Sequence, residues 1–229
     1  MKLPLALFLV SFIAQAQPNA LYYRTDYPLS HLVDGGTSGL VIADLNNDGK
    51  LDFVAGAGFG LDVALGNGDG TFKPKVDIST GTGTGPVSAV AATLTSSGFA
   101  DLVVVNNANN TLGVFLGNGD GTFKTPTFIA AGHAPSSIAA ADFNNDGHID
   151  LAVTNQNDNT VSVFIGNGDG TFRSRTDYAV GTAPVWVSTG DFSGDGFPDL
   201  AVANNTDNTV SILNGVGDGT FQEIGRAHV

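Results

Sequence analysis

A nine-residue acidic frame returns along the chain at a constant interval of 49 residues. It reads Asp-x-Asn-x-Asp-Gly-x-x-Asp from Asp44 and again from Asp142, and Ser replaces the Asn in the copy that begins at Asp191. A degenerate copy begins at Thr93 and keeps only the glycine and the last aspartate. The chain is therefore one unit written four times, and a period of this size is typical of propellers and solenoids.

A second motif supports the repeat. Gly-Asn-Gly-Asp-Gly-Thr-Phe begins at Gly66, Gly117 and Gly166, and a copy with Val in place of Asn begins at Gly215. Between the motifs, short apolar segments alternate with turns rich in Gly, Asn and Asp, and nothing long has helical periodicity. The third unit predicts strands over 137–142, 151–155, 160–166 and 171–180. The sequence thus predicts an all-β chain with four-stranded antiparallel units, as in a β-propeller.

The N-terminus predicts export. Lys2 precedes an apolar run over 3–14, and Ala14-Gln15-Ala16 forms a small-x-small cleavage sequence. We interpret residues 1–16 as a secretory signal peptide, so the protein is expected to be secreted or at the cell surface. The apolar run is too short to cross a bilayer, and no membrane span is predicted elsewhere.

The net charge of −13 comes mainly from the repeats. Nine of the 22 acidic residues lie in the three complete frames, and four more lie in the Gly-Asp-Gly-Thr turns. With nine Lys and Arg in total and no basic run, the sequence predicts no nucleic-acid partner. There is no cysteine, so we expect metal or packing to supply the crosslinks that many secreted domains obtain from disulfides.

The complete frames have the donor pattern of a cation-binding loop. Positions 1, 3 and 5 carry side-chain oxygens, position 6 is Gly, and position 9 is a carboxylate. Calcium takes roughly six to eight oxygen ligands, which such a loop supplies with the position 7 carbonyl and a water. An Asx turn without an ion is the alternative, but three carboxylates in one loop would repel one another. An EF-hand is excluded, because position 12 holds Ala55, Val153 or Val202 instead of Glu.

At these residues the chain resembles the FG-GAP or VCBS repeat family, the calcium-binding β-propellers of integrin α-subunit heads and many secreted bacterial proteins. The resemblance covers residues 23–222 and implies a propeller with about four repeats present. It also implies calcium ligands in each complete frame. These are Asp44, Asn46, Asp48, the Lys50 carbonyl and Asp52; Asp142, Asn144, Asp146, the His148 carbonyl and Asp150; and Asp191, Ser193, Asp195, the Phe197 carbonyl and Asp199.

Two departures bear on the number of ions. Ser193 is a poorer ligand than Asn, and the degenerate frame over 93–101 retains one carboxylate and is expected to be metal-free. About three calcium ions are therefore predicted. The Gly-Asn-Gly-Asp-Gly-Thr-Phe motif has no such charge density, and we interpret it as a hairpin turn followed by an inward Phe.

The ends of the chain depart from the repeat. Residues 24–27 match residues 175–178, the outermost strand of the third unit, although no complete unit precedes them. We expect residues 17–36 to be an N-terminal lead with a closing outer strand, followed by four repeats over 37–222. Residues 223–229 are interpreted as a non-native tail, so that the fourth unit would lack its outer strand. The chain is then a fragment of a ring of about seven blades, although a four-bladed closure is geometrically allowed.

The sequence predicts no enzyme. It has one Glu and no Cys, and the clustered aspartates are assigned to the frames, so no acid–base pair remains. The four tyrosines and the one tryptophan could line a glycan-binding face but are more typical of the core. They are Tyr22, Tyr23, Tyr27, Tyr178 and Trp186.

Two function classes remain open. The first is a non-catalytic adhesion or binding propeller that presents loops on a calcium-stiffened scaffold to an extracellular protein or glycan. The second is the propeller portion of a secreted calcium-dependent polysaccharide lyase, or another extracellular enzyme, whose catalytic residues lie outside this sequence.

Overall fold

The computed structural model describes residues 39–57, 60–81 and 84–228. Within them the chain forms sixteen β-strands in four antiparallel sheets, each built from four strands in sequence order. The all-β fold and the four-stranded units are confirmed. The predicted signal peptide over 1–16 and the closing strand expected at 24–27 lie outside the described residues.

We call the sheets blades 1 to 4. Blade 1 contains β1 (Leu40–Ala43), β2 (Asp52–Ala57), β3 (Gly60–Ala64) and β4 (Val76–Ser79), and blade 2 contains β5 (Pro86–Ala92), β6 (Asp101–Asn106), β7 (Thr111–Phe115) and β8 (Thr127–Ala130). Blade 3 contains β9 (Pro135–Ala141), β10 (Asp150–Asn155), β11 (Thr160–Phe164) and β12 (Thr176–Ala179), and blade 4 contains β13 (Pro184–Gly190), β14 (Asp199–Asn204), β15 (Thr209–Gly215) and β16 (Phe221–His228).

The antiparallel order places the two motifs together. Each acidic frame connects the first strand of a blade to the second, and each glycine-rich motif connects the third to the fourth. Both connections therefore lie at the same end of the blades, which we call the frame end. The turns between second and third strands and the links between blades lie at the other end, the hairpin end.

The hydrophobic core lies between the blades. One cluster joins blades 1 and 2 around Leu102 and Phe115, a second joins blades 2 and 3 around Leu151, and a third joins blades 3 and 4 around Leu200. Middle strands are covered on both faces: Val161, Ser162 and Val163 in β11 are all buried, as the lack of polar alternation predicts.

Two strand boundaries differ from the prediction. The outer strand expected over 171–180 is only Thr176–Ala179, because Phe172 makes a single bridge to Gly166 before the chain leaves the sheet. The expectation that the fourth unit lacks an outer strand is wrong. β16 pairs with β15 from Phe221 opposite Gly215 to His228 opposite Thr209. Main-chain groups make this ladder, so the sequence change after residue 222 does not prevent it. Whether residues 223–229 are native stays a prediction.

The blades are arranged in series. β1 contacts β5, β5 contacts β9, and β9 contacts β13, which places the first strand of every blade on the inside, as in a propeller. No strand ladder joins blade 1 to blade 4 within the described ranges. In the same ranges no helix is long and apolar enough to cross a membrane.

Candidate metal sites at the frame end

Frame loop 1, residues 44–52, is closed by hydrogen bonds from its own backbone. The Asp44 carboxylate accepts the amide N–H of Asp48 at 3.1 Å and that of Gly49 at 2.7 Å. The Asn46 side-chain oxygen also accepts the Asp48 N–H, at 3.2 Å, and Asp48 accepts the Lys50 N–H at 3.0 Å. The side chains at positions 1, 3 and 5 therefore face one small volume, as the frame predicts.

Frame loop 3, residues 142–150, repeats this geometry. Asp142 accepts the N–H groups of Asp146 at 3.2 Å and Gly147 at 2.8 Å, and Asp146 accepts the His148 N–H at 2.9 Å. The Asn144 amide donates to Asp146 at 2.8 Å. Two loops 98 residues apart along the chain thus reach the same arrangement.

Frame loop 4, residues 191–199, is a looser version. Asp191 accepts N–H groups from Gly194 at 2.6 Å, Asp195 at 3.2 Å and Gly196 at 3.0 Å. The shorter Ser193 hydroxyl lies 3.5 Å from Asp191, at the limit of a hydrogen bond. That Ser193 is a poorer ligand than Asn stays a prediction.

Frame loop 2, residues 93–101, keeps the shape with hydroxyls in place of carboxylates. Thr95 donates to Ser97 at 2.8 Å, and the Ser97 hydroxyl accepts the Phe99 N–H at 3.2 Å. No acidic side chain occupies positions 1, 3 or 5. Its predicted lack of metal is consistent with this chemistry and stays a prediction.

The aspartate at position 9 has a role that sequence reasoning missed. Asp52 is fully buried, and its two oxygens accept the Leu45 N–H at 2.8 Å and the Gly66 N–H at 2.7 Å. It thereby ties the frame loop to the start of the glycine-rich motif. The same pair of bonds is made by Asp101 with Leu94 and Gly117, by Asp150 with Phe143 and Gly166, and by Asp199 with Phe192 and Gly215.

This clamp explains why the degenerate loop retains a single carboxylate. Asp101 is also fully buried, and a buried amide without a partner costs free energy whether or not an ion is bound. The first glycine of the motif belongs to the same device. A Cβ on Gly166 would lie 2.2 Å from the Ile149 carbonyl oxygen, so only glycine allows its N–H to reach Asp150.

Hydrogen bonding and burial shift the pKa values of the carboxylates within a frame loop in opposite directions. The hydrogen bond from the Asn144 amide, helped by that from the His148 N–H, holds the pKa of Asp146 below its ordinary value. In loop 1, desolvation opposes the shift, but hydrogen bonds from Lys50 and Asn46 still lower the pKa of Asp48. Burial raises the pKa of Asp150. Hydrogen bonds therefore favour the ionised form of the position 5 carboxylates Asp48 and Asp146, whereas the buried Asp150 is held by backbone amides.

The donor set fits a hard cation. A carboxylate has about four lone-pair positions, and Asp44 uses one on each oxygen for the loop amides. Asp44, Asp48 and Asn46 with the Lys50 carbonyl would hold Ca²⁺ through oxygen alone, and the equivalent groups in loops 3 and 4 would do the same. Among the described residues no three acidic or histidine side chains converge in a metal-binding group, since the position 9 carboxylate is bonded to amides. Its ligand role stays a prediction.

Frame loops 1, 2 and 3 also contact the next blade. The Leu45 carbonyl accepts the Gly121 N–H of blade 2 at 3.1 Å, and the Phe143 carbonyl accepts the Gly219 N–H of blade 4 at 3.1 Å. Between blades 2 and 3, Thr95 forms an isolated bridge with Asp169. The glycine-rich turn of one blade therefore rests on the frame loop of the blade before it.

The glycine-rich motifs are hairpin turns, as interpreted from the sequence. Gly66 bridges Phe72, and the Asn67 N–H donates to the Thr71 carbonyl at 2.9 Å. Asp69 accepts both the Thr71 hydroxyl at 2.6 Å and its N–H at 2.9 Å, and these bonds lower the pKa of Asp69. The motif lacks the clustered carboxylates of the frames, and its interpretation as a turn without a second metal site stays a prediction.

The remaining candidate residues separate into core and surface. Tyr178 packs edge-on against Phe221 with ring centroids 5.6 Å apart, so its interpretation as core holds. Trp186 is 64% exposed, so that interpretation is wrong for it. Tyr22, Tyr23 and Tyr27 lie outside the described residues.

At the hairpin end, His133 pairs with Asp158 at 2.7 Å. Asp158 also accepts the His133 backbone N–H at 2.7 Å, and in the next blade Asp207 accepts the Thr182 N–H at 2.6 Å. Because the second pair contains no histidine, the shared feature is a carboxylate that holds a loop amide. We therefore assign the His133–Asp158 pair the role of holding this loop in place.

Comparison with known proteins agrees with the repeat. The model of the FG-GAP-like repeat matches three overlapping segments, residues 44–104, 94–153 and 142–202. No curated protein sequence matches the chain.

Solved β-propellers have the same fold. The chain is similar to an Agrocybe aegerita lectin that recognises non-reducing terminal N-acetylglucosamine, with a TM-score of 0.58, 22% identity and coverage of 81% of this chain and 50% of the lectin. It is also similar to a proposed 6-phosphogluconolactonase of Bacteroides fragilis, with a TM-score of 0.64, 17% identity and coverage of 84% and 55%. A third similar structure is a periplasmic gluconolactonase of Pseudomonas aeruginosa, with a TM-score of 0.64, 17% identity and coverage of 82% of this chain and 53% of the gluconolactonase. The chain spans about half the length of these propellers.

These neighbours correct the prediction that the chain is not an enzyme. That prediction relied on the absence of an acid–base pair in the sequence, yet propellers of the same fold include proteins identified as lactonases. At such identities the likeness shows the fold alone, and the fold hosts both binding and catalysis.

Proposed function

The chain belongs to the FG-GAP-like repeat family, and from this premise we propose that it is a secreted calcium-binding β-propeller that presents its loops to an extracellular glycan or protein. The observation that carries the proposal is the recurrence of one oxygen-lined loop at the same place in blades 1, 3 and 4. Adhesion at a cell surface is the corresponding biological role.

Calcium would serve this role by stiffening the frame end. Loops 1 and 3 each bring two carboxylates and an amide oxygen together on a backbone of fewer than ten residues. The repulsion between the two carboxylates favours a bound divalent cation. A loop with only oxygen donors suits Ca²⁺, a hard cation that takes oxygen ligands. Because loops 1 and 3 each support the turn of the next blade, ions in these two loops would also hold neighbouring blades in register.

The ligand surface in this proposal is the hairpin end. Its exposed side chains are mostly amides, hydroxyls and carboxylates, including Asn109, Asn157, Asp158, Asn205 and Asn208. Such groups offer both donors and acceptors to sugar hydroxyls. A lectin of the same fold shows that a propeller can hold a glycan site, so a glycan is the first ligand to test.

An extracellular enzyme, such as a calcium-dependent polysaccharide lyase, is the second candidate. The propellers identified as lactonases favour it at the level of fold. The catalytic residues of such an enzyme would lie outside this sequence, so turnover of a lactone or an acidic polysaccharide by the full-length protein would select this candidate over binding alone.

Calorimetry tests the metal assignment. Titration of Ca²⁺ into chelator-treated protein should give about three ions per chain, and Asp48→Ala and Asp146→Ala should each remove one. Ser97→Ala, in the loop without carboxylates, is the matched control and should leave the count unchanged. Four equivalent sites, or none at millimolar calcium, would contradict the assignment.

A glycan array tests the ligand class. Labelled protein in calcium should bind a subset of glycans, and chelation should weaken that binding. Absence of binding to any glycan, with three calcium ions still bound, would reject the glycan ligand while leaving the metal sites intact.

A further inference from the structure

The linker between blades 2 and 3, residues 131–134, is held at the hairpin end by all four of its backbone N–H groups. The acceptors belong to the turn of blade 2 and to the end of β10 with the turn that follows it. The bonds run from Ala131 to the Asn110 carbonyl at 2.9 Å, from Gly132 to the Asn155 side chain at 3.1 Å, from His133 to Asp158 at 2.7 Å and from Ala134 to the Asn110 side chain at 2.8 Å. The linker is therefore a fixed part of this surface.

The linker between blades 3 and 4, residues 180–183, makes an equivalent set of four bonds without a histidine. They run from Val180 to the Asn159 carbonyl at 3.0 Å, from Gly181 to the Ser211 hydroxyl at 3.2 Å, from Thr182 to Asp207 at 2.6 Å and from Ala183 to the Asn159 side chain at 2.9 Å. Thr182 takes the place of His133. The backbone of such a junction therefore does not require a histidine, and the ring of His133 is an addition to it.

Asp158 fixes the orientation of the His133 ring while leaving most of the ring exposed. The ring Nδ1 lies 2.7 Å from the Asp158 carboxylate, and 73% of the His133 side chain is exposed. The hydrogen bond from the His133 N–H, helped by that from the ring, holds the pKa of Asp158 below its ordinary value. The carboxylate is therefore ionised near neutral pH and only accepts hydrogen bonds. Nδ1 thus carries the hydrogen, and on a neutral ring Nε2 is an acceptor that faces away from Asp158.

We propose that His133 and Asn157 form a glycan-binding subsite at the junction of blades 2 and 3, an inference that rests on the proposed function and gives it a place. Asn157 is exposed, and its backbone N–H donates to the His133 carbonyl at 3.3 Å, so the two residues are neighbours across the junction. A sugar hydroxyl both donates and accepts, and it finds an acceptor in Nε2 and a donor in the Asn157 amide. The exposed face of the imidazole offers an apolar surface to the C–H groups of the sugar.

The charge and rigidity of the junction favour a neutral sugar. The Asp158 carboxylate lies against the ring and offsets the positive charge that an anionic ligand would need. An exposed pair of this kind contributes little to the stability of the fold. A side chain that is already fixed, however, loses less conformational freedom when a ligand binds. The ordered ring therefore benefits a ligand more than it benefits the fold.

Substitution of His133 by Thr tests the subsite. The variant should fold, because Thr182 occupies the equivalent position with the same backbone bond. On an array of neutral oligosaccharides in calcium, His133→Thr should bind about fivefold to tenfold more weakly than the wild type, as expected for loss of one or two hydrogen bonds. Asn157→Thr, which introduces the residue found at Thr206 of blade 4, should weaken binding in the same way. Thr182→Ala, at the exposed position of the other junction, is the matched control and should leave binding unchanged.

NMR of the unaltered protein gives a readout that does not depend on how the variants fold. The Cε1–H signal of His133 should move when a neutral oligosaccharide that binds on the array is added. A signal that stays in place at saturation would overturn the subsite and leave the proposed function intact, and so would equal binding by His133→Thr and the wild type. Binding of no glycan by the wild type would overturn the subsite together with the glycan ligand.

Discussion

At the scale of single residues, the frame combines two tasks in one motif. Positions 1, 3 and 5 form an oxygen-lined loop, whereas position 9 is a buried clamp bonded to two backbone amides. Asp101 shows that the tasks are separable, since loop 2 has lost the carboxylates of the first but keeps the second. The last aspartate is therefore a structural requirement of every blade.

Substitution of Asp101 by Asn tests the clamp without involving any predicted metal site. One of the two amides would face an NH₂ group in place of an acceptor, and a buried N–H without a partner costs about 1–3 kcal/mol. Urea unfolding should show a loss of that size, equal in calcium and in chelator. Ser97→Ala, in the same loop but exposed, should change the free energy of unfolding by less than about 0.5 kcal/mol. Equal stability of Asp101→Asn and the wild type would refute the clamp.

A second residue-scale prediction concerns acid titration of the glycine-rich turns. The hydroxyl and the N–H of Thr122 both donate hydrogen bonds to the Asp120 carboxylate. These bonds lower the pKa of Asp120 from the ordinary value of 3.8. A carboxyl group whose pKa is lower in the folded protein than in the unfolded chain stabilises the fold at pH values above its pKa in the unfolded chain. That stabilisation is lost as the pH falls through its pKa in the folded protein. Thr122→Val should raise the Asp120 pKa, measured by carbon NMR of its carboxyl group. Thr127→Val, on the exposed outer strand where blade 1 has Val76, should leave it unchanged.

The loop side chains could be predicted from the sequence because their partners lie within five residues. The clamp could not, because Asp150 and Gly166 are separated by 16 positions and meet only after β10 and β11 pair. The close approach of Gly166 to the Ile149 carbonyl was hidden for the same reason. Local chemistry is thus readable from local sequence, whereas a contact set by strand register is not.

At the scale of elements, frame loops and glycine-rich turns form the joints between blades. Strand number and order were predictable from period and turn chemistry, and the missing outer strand of blade 4 was wrongly predicted because a ladder depends on backbone groups. The joints differ in composition. Loops 1 and 3 contact the next blade beside carboxylates, whereas loop 2 contacts Asp169 through hydroxyl-bearing residues.

Calcium should therefore tighten two joints and leave one unchanged. Hydrogen exchange of the Gly121 N–H, bonded to Leu45, and of the Gly219 N–H, bonded to Phe143, should slow when calcium is added. Exchange at Thr95 and Asp169, which join blades 2 and 3, is the internal control. Slower exchange at all three joints would show a global effect of calcium. Unchanged exchange at all three, with ions bound, would show that ion binding in the loops does not stabilise the interfaces between blades.

At the scale of the whole molecule, stability comes from surfaces between blades. Each cluster draws buried residues from two sheets, so no blade holds a complete core by itself. The sequence predicted this because middle strands such as β11 lack polar alternation. The exposure of Trp186 was not predictable, because a tryptophan in a strand is expected to be buried and the sequence does not show which face a neighbouring blade covers. The ring size of about seven blades stays a prediction.

The last prediction joins the metal sites to the stability of the whole chain. An ion that binds only the folded state adds RT ln(1 + [L]/Kd), about 2.7 kcal/mol for each site at a hundredfold excess over Kd. Chelation should therefore lower Tm markedly in a calorimetric or circular dichroism melt. Asp146→Ala should remove about one site's share in calcium and change Tm little in chelator, because its exposed carboxylate bonds only within its own loop. Ser97→Ala should behave as the wild type in both conditions, and an equal loss from both variants would contradict the different roles assigned to loops 2 and 3.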